Sequence, residues 1–119
     1  MQGQRFAVSY HTAGNTAANH VFVFTAPFDM TLEFVSASGS NTNNGILDVG
    51  YTGALEAYVV DKAVGDGNVP GTVDAPGEFV GSNYPHIVAG TVVTASLDYD
   101  GAGGTAVADF TLVMVFSEG

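Results

Sequence analysis

The groups able to do chemistry in this chain are three histidines and twelve acidic residues, with no cysteine among its 119 residues. His11, His20 and His86 could hold a transition metal if folding brought them together, because neutral imidazole is a common ligand. Their spacing matches no closed site, and separately placed surface or edge histidines are the better reading. Asp98-x-Asp100-Gly101 has the acidic alternation and the glycine of a calcium loop. The third acid and the bidentate glutamate of a full loop are missing, and Asp and Gly are what a tight turn requires, so an acidic turn is preferred. Asp61, Asp66, Asp74 and Glu78 cluster in sequence, and two carboxyls at a set separation could serve as acid and base on a glycosidic bond. Nothing in the spacing sets that separation. With no tryptophan to stack on a sugar, a solvated acidic loop is the simpler reading.

Other chemistries lack their residues. Without cysteine there is no disulfide framework, thiolate metal site or thiol nucleophile. No Gly-x-Ser-x-Gly elbow, phosphate-cradling loop or dinucleotide fingerprint occurs, and Gly101, Gly103 and Gly104 precede a strand where a phosphate loop would precede a helix. The sequence therefore predicts a protein that is not an enzyme, with no catalytic residues, cofactor or metal.

The elements that would position these groups are strands. Thr91–Tyr99 alternates Val93, Ala95, Leu97 and Tyr99 against Thr94, Ser96 and Asp98, and Ala106–Phe116 alternates Ala106, Ala108, Phe110, Leu112, Met114 and Phe116 against Val107, Asp109, Thr111, Val113 and Val115. Joined by the glycine-rich Asp100–Gly104, the two are expected to pair as a hairpin. Arg5–Tyr10 alternates Phe6, Val8 and Tyr10 against polar or small neighbours. Val21–Phe24 is apolar throughout, as in a strand covered on both faces. Met30–Ser36 sets Met30, Leu32 and Phe34 against Thr31, Glu33 and Val35, and Ser38–Gly45 is a polar loop expected at an exposed tip. Ile46–Tyr51 and Leu55–Val60 form a second hairpin around Thr52-Gly53, with Leu47, Val49 and Tyr51 inward. Residues 61–84 read as a long irregular loop, the kind that tends to be functional or an interaction arm.

No repeat and no amphipathic helical stripe is present. The expected fold is all-β: a single-domain, jelly-roll-like β-sandwich spanning 1–119, with about seven to eight antiparallel strands and almost no helix. An immunoglobulin-like sandwich is the alternative, though the Cys, Trp, Cys core of that fold is missing.

Only Arg5 and Lys62 are basic against twelve acids, a formal charge of −10. That excludes nucleic-acid binding by counterion release and disfavours anionic membranes. No apolar run approaches the ~20 residues of a membrane span, and the start lacks a secretory signal, so the expectation is a soluble protein made in a cytoplasm. Charged residues are 12% of the chain while hydrophobic ones reach 46%. Such a surface is either coated with small polar residues or covered by other subunits.

Three stretches also carry a family resemblance: Thr25-Ala-Pro-Phe-Asp-Met-Thr-Leu-Glu-Phe-Val-Ser-Ala, Leu47-Asp-Val-Gly-Tyr-Thr-Gly-Ala-Leu-Glu-Ala-Tyr-Val-Val, and Val88-Ala-Gly-Thr-Val-Val-Thr with its glycine-rich turn and terminal strand. From about Phe22 onward, in layout and phrasing, the chain resembles the small β-proteins of tailed bacteriophages that decorate or cement the capsid. The resemblance implies a virion protein on the capsid exterior, often a homotrimer, that fastens neighbouring major capsid protein subunits. Val113 and Val115, opposite the core side of the last strand, are candidate subunit or capsid contacts, with Tyr84 in the long loop a second; cover from within the same subunit is the alternative for the two valines. A tail, fibre or head-tail protein is the nearest variant. A carbohydrate-binding module, calcium-assisted through Asp98 and Asp100, is the alternative from another class.

Overall fold

The structure is a computed structural model and describes residues 4–119. Nine strands follow in order: β1 (Arg5–Asn15), β2 (His20–Thr25), β3 (Met30–Ser38), β4 (Ile46–Tyr51), β5 (Ala54–Ala63), β6 (Gly71–Val73), β7 (His86–Ile87), β8 (Val92–Asp98) and β9 (Ala108–Glu118). Helical structure among the described residues is confined to the 3-10 turns Pro76–Glu78 and Val80–Ser82.

The strands form two antiparallel sheets. One runs β1-β9-β3-β6, with β7 also on β3; the other runs β2-β8-β4-β5. β6 pairs with the Val35–Ala37 end of β3 and β7 with its Met30–Thr31 end, both antiparallel. They are two halves of one interrupted strand, and residues 74–85 are an excursion between them. Counted so, the fold has eight strand positions in the order of a jelly roll, in which successive strands change sheet except at the β4–β5 hairpin.

This order corrects the expected pairing of the last two long strands. β8 pairs with β2 and β4, whereas β9 pairs with β1 and β3. The glycine-rich stretch between them crosses from one sheet to the other. Both strands present one apolar face, and two such faces satisfy burial equally well across a sandwich as side by side in one sheet.

The core lies between the sheets. Met30, Leu32, Val35, Ala37, Phe110, Leu112, Met114 and Phe116 of the first sheet face Leu47, Val49, Val59, Val93, Ala95 and Leu97 of the second. One side is closed by aromatic rings: Phe22 stacks on Phe110 at 5.8 Å and Phe24 meets Phe116 edge-on at 5.3 Å, while the Tyr10 hydroxyl donates to the Val23 carbonyl at 3.0 Å.

Four further expectations change. β3 shifts register between Leu32 and Phe34, so Val35 turns inward at 0% exposure and Phe34 turns out. A bulge adds a residue on one strand and moves everything after it to the other face. Val107 is buried where alternation placed it outward, because β9 begins only at Ala108 and Asp109 sits at a left-handed φ of 51°. Thr94 is buried on the far face of β8, beside Gly50, where a Cβ would collide with the Ala54 carbonyl and the Leu55 backbone; β5 folds over that spot because Gly50 has no side chain. Val21–Phe24 is not covered on both faces: β2 is an edge strand, with Phe22 and Phe24 inward and Val21 and Val23 54% and 55% exposed.

The loops differ too. Residues 61–84 start as the end of β5 and contain β6 and both 3-10 turns. Ser38–Gly45 is not a free tip. Asn41 uses both ends of its amide on the segment before β9, donating to the Ala106 carbonyl (2.9 Å) and accepting from the Ala108 amide (3.0 Å), and Asn44 accepts from the Thr105 amide (2.8 Å). These side chains supply to the sheet-crossing segment the backbone pairing that a ladder supplies elsewhere.

Candidate functional site

The jelly roll leaves three regions where side chains could meet a partner. The first is the outer face of the β1-β9-β3 sheet. Odd residues of β9 point outward there, and the registers align Ala7, Val115 and Phe34 in one row, Ser9, Val113 and Ser36 in the next, and His11, Thr111 and Ser38 in a third. Val113 and Val115 are thus brought together at the centre of this face, both half-buried, with the core on the opposite side of their strand. The ionisable groups of these rows are engaged. Arg5 pairs with Glu33 at 3.0 Å, the Ser117 hydroxyl donates to Glu33 at 2.8 Å, and a His11 ring nitrogen lies 2.9 Å from the Thr111 hydroxyl. At the end of the face Asp109 accepts from the Ser40 hydroxyl and the Gly14 amide, both at 2.7 Å, and these bonds hold its carboxyl below the ordinary aspartate range. The result is a patch with little free charge in a strongly acidic protein.

The second region carries that acidity. Asp48 of β4 and Glu56 and Asp61 of β5 bring carboxylate oxygens within 4.8 Å of one another. Repulsion from Asp48 raises the Glu56 pKa, with burial and Asp61 adding to it. Three oxygens this close could be offered to a hard divalent cation. The Asp61 amide already donates to Asp48, at 2.6 Å, which ties the cluster into the β4–β5 hairpin.

The third region is a hollow of about 200 Å³ lined by Tyr51, Tyr58, His86, Val88 and Thr91, at the end of the sandwich where β4, β5 and the β7–β8 connection meet.

The remaining sequence candidates are dispersed. Of the acids proposed as a pair, Asp61 belongs to the Asp48 cluster and Asp66 accepts from the Asn43 amide. Only Asp74 and Glu78 meet: Glu78 accepts the Asp74 and Ala75 amides, each at 3.0 Å, which lowers its pKa, while its contact raises that of Asp74. Asp98 and Asp100 cap their own turn by accepting the Gly101 and Ala102 amides, each at 3.1 Å, as the turn reading expects. His20 stacks on Phe22, apart from His11 on β1 and His86 in the hollow. Tyr84 fastens the 74–85 excursion, its hydroxyl donating to the Asp74 carbonyl at 3.2 Å and its ring edge-on to Phe79 at 5.7 Å, and it stays 38% exposed.

The hollow and the Asp48 cluster were not foreseen. Tyr51 and Tyr58 lie far in sequence from His86 and Thr91, and only the jelly-roll crossing joins them. Glu56 and Asp61 share a neighbourhood with Asp48 because of the β4–β5 hairpin, and that hairpin is the one signal from which the cluster could have been found.

No family model matches the chain, and no curated protein matches it. Among solved structures it is similar to a chain of the cyanophage Pam1 capsid asymmetric unit, with a TM-score of 0.63 and 13% identity over 96% of this chain and 81% of that one. At that identity the likeness is one of fold. No helix among the described residues is long and apolar enough to cross a membrane.

Proposed function

We propose that this protein is a non-enzymatic virion structural component that decorates a phage capsid, binding its exterior and stabilising contacts between major capsid protein subunits. The observation that carries this reading is the likeness of nearly the whole chain to a chain of a phage capsid, in agreement with the family resemblance of the sequence. The outer face around Val113 and Val115 supports it: a half-apolar surface on which Arg5 and Glu33 pair and Asp109 is already hydrogen-bonded can meet another polypeptide at small desolvation cost. Tyr84, fastened to Asp74 and Phe79 yet 38% exposed, is a secondary contact. The role needs no chemistry. A protein that binds the assembled lattice better than free subunits stabilises it by mass action, and a homotrimer would multiply modest single contacts. The carboxylates outside the contact face would then point to solvent and keep particles apart.

The test is copurification. The protein should band with intact particles at a fixed, high stoichiometry, and the double variant Val113→Lys/Val115→Lys should stay folded but lose the particles. A protein missing from purified capsids ends the proposal. A low fixed copy number moves it to a tail or head-tail position.

A further inference from the structure

We propose that the hollow between Tyr51, Tyr58, His86, Val88 and Thr91 is a binding site for a single neutral pyranose ring. The polar groups at this place are unspent. Among the described residues neither the Tyr58 nor the Tyr51 hydroxyl, the His86 ring or the Thr91 hydroxyl makes a side-chain hydrogen bond, and although the Tyr58 ring is buried its oxygen is not sealed from solvent, so all four groups are free to bond a ligand in the hollow. Of the three tyrosines elsewhere, Tyr10 and Tyr84 donate their hydroxyls to backbone carbonyls. Burial and the neighbouring Tyr51 push the Tyr58 pKa up, so its hydroxyl stays protonated and able to donate near neutral pH.

The shape and charge narrow the ligand. The cavity of about 200 Å³ has room for one six-membered ring with its substituents. The two tyrosine rings pack on each other, centroids 5.9 Å apart and tilted by 45°, and together form one aromatic wall of the hollow. Ring faces and Val88 offer apolar wall for sugar C–H groups, while two phenols, a hydroxyl and an imidazole offer both donors and acceptors for hydroxyls. No Asp, Glu, Lys or Arg lines the hollow, and the −10 charge of the chain repels anionic sugars. The site does not use Asp98 or Asp100, and it stands whether or not the protein is carried on a capsid.

The test is a nuclear magnetic resonance titration of the full chain with three probes: methyl α-D-glucopyranoside, methyl α-D-mannopyranoside and methyl β-D-galactopyranoside. At least one should give saturable shifts confined to residues around 51, 58, 86, 88 and 91, with a dissociation constant of about 1–10 mM, the range expected for so small a ligand. Tyr58→Phe, which keeps the ring and its packing, should weaken binding about fivefold or more through loss of one hydrogen bond. Thr91→Val is the second variant should Tyr58→Phe disturb the fold, and Val69→Ala, remote from the hollow, should change nothing. No saturable shift from any of the three at about 50 mM overturns the proposal. So does binding that both Tyr58→Phe and Thr91→Val leave untouched, or occupation of the hollow by N-acetylprolinamide with no response to the glycosides, which would make it a seat for a peptide side chain.

Discussion

Truncating Phe34 and Val35 separately tests the bulge in β3, because simple alternation and the observed register give opposite answers. Alternation from Met30 and Leu32 puts Phe34 in the core, where Phe→Ala typically costs about 3–5 kcal/mol. In the structure Val35 is the buried residue, at 0% exposure beside Met114, and Phe34 lies on the outer face beside Val115. Val35→Ala removes two methyl groups from a closed core, about 1.6 kcal/mol of transfer with a cavity contribution added, or roughly 2–3 kcal/mol. Phe34→Ala loses part of one flank's contacts, about 1 kcal/mol. For a chain of this length one kcal/mol moves the melting temperature by about 4 °C. Val35→Ala should therefore lower Tm by about 8–12 °C and Phe34→Ala by about 4 °C, read by circular dichroism or calorimetry. A larger loss for Phe34→Ala than for Val35→Ala would refute the bulge, and with it the outer face that places Val113 and Val115 next to Phe34.

Three further outcomes follow from the same structure. Asn41→Ala strands the Ala106 carbonyl and the Ala108 amide in a half-buried place and should cost about 1–3 kcal/mol; a Tm change under about 2 °C would show that water replaces the amide at no cost. Asp109 has a lowered pKa in the fold, chiefly from the Ser40 hydroxyl and then the Gly14 amide. Its contribution is present in full above the ordinary aspartate range and is lost as pH falls through the lower folded value, so Asp109→Asn should reduce Tm near pH 7 and converge with the parent in acid. An offset that is the same at every pH would contradict this. Glu56 is the reverse case: its pKa is raised, first by Asp48, so the ionised form opposes folding above that pKa and the opposition vanishes below the ordinary glutamate range. Glu56→Gln should raise Tm near pH 7 and make no difference at low pH, and a destabilised Glu56→Gln at neutral pH would mean the cluster is held together by something other than repelling carboxylates.

Most strands, and the inward side of the regular ones, are legible in the residue order alone. Leu47 and Val49, then Val93, Ala95 and Leu97, and Phe110, Leu112, Met114 and Phe116 all face the core as alternation requires, because a strand's period of two is a local property of the backbone. The turn roles of Asp98, Asp100 and Thr52-Gly53 were equally legible, since they rest on residues within a few positions of each other. Which strand lies beside which emerges only in the folded molecule. Burial is non-directional and rewards any partner for an apolar face, so β8 and β9 looked like a hairpin and are instead in opposite sheets. The tertiary structure also decided where the period breaks, at Glu33–Phe34 and at Asp109. The hollow follows from the strand arrangement, for Tyr51 and Tyr58 reach His86 and Thr91 only because the β4–β5 hairpin of one sheet lies near β7 and the β7–β8 connection.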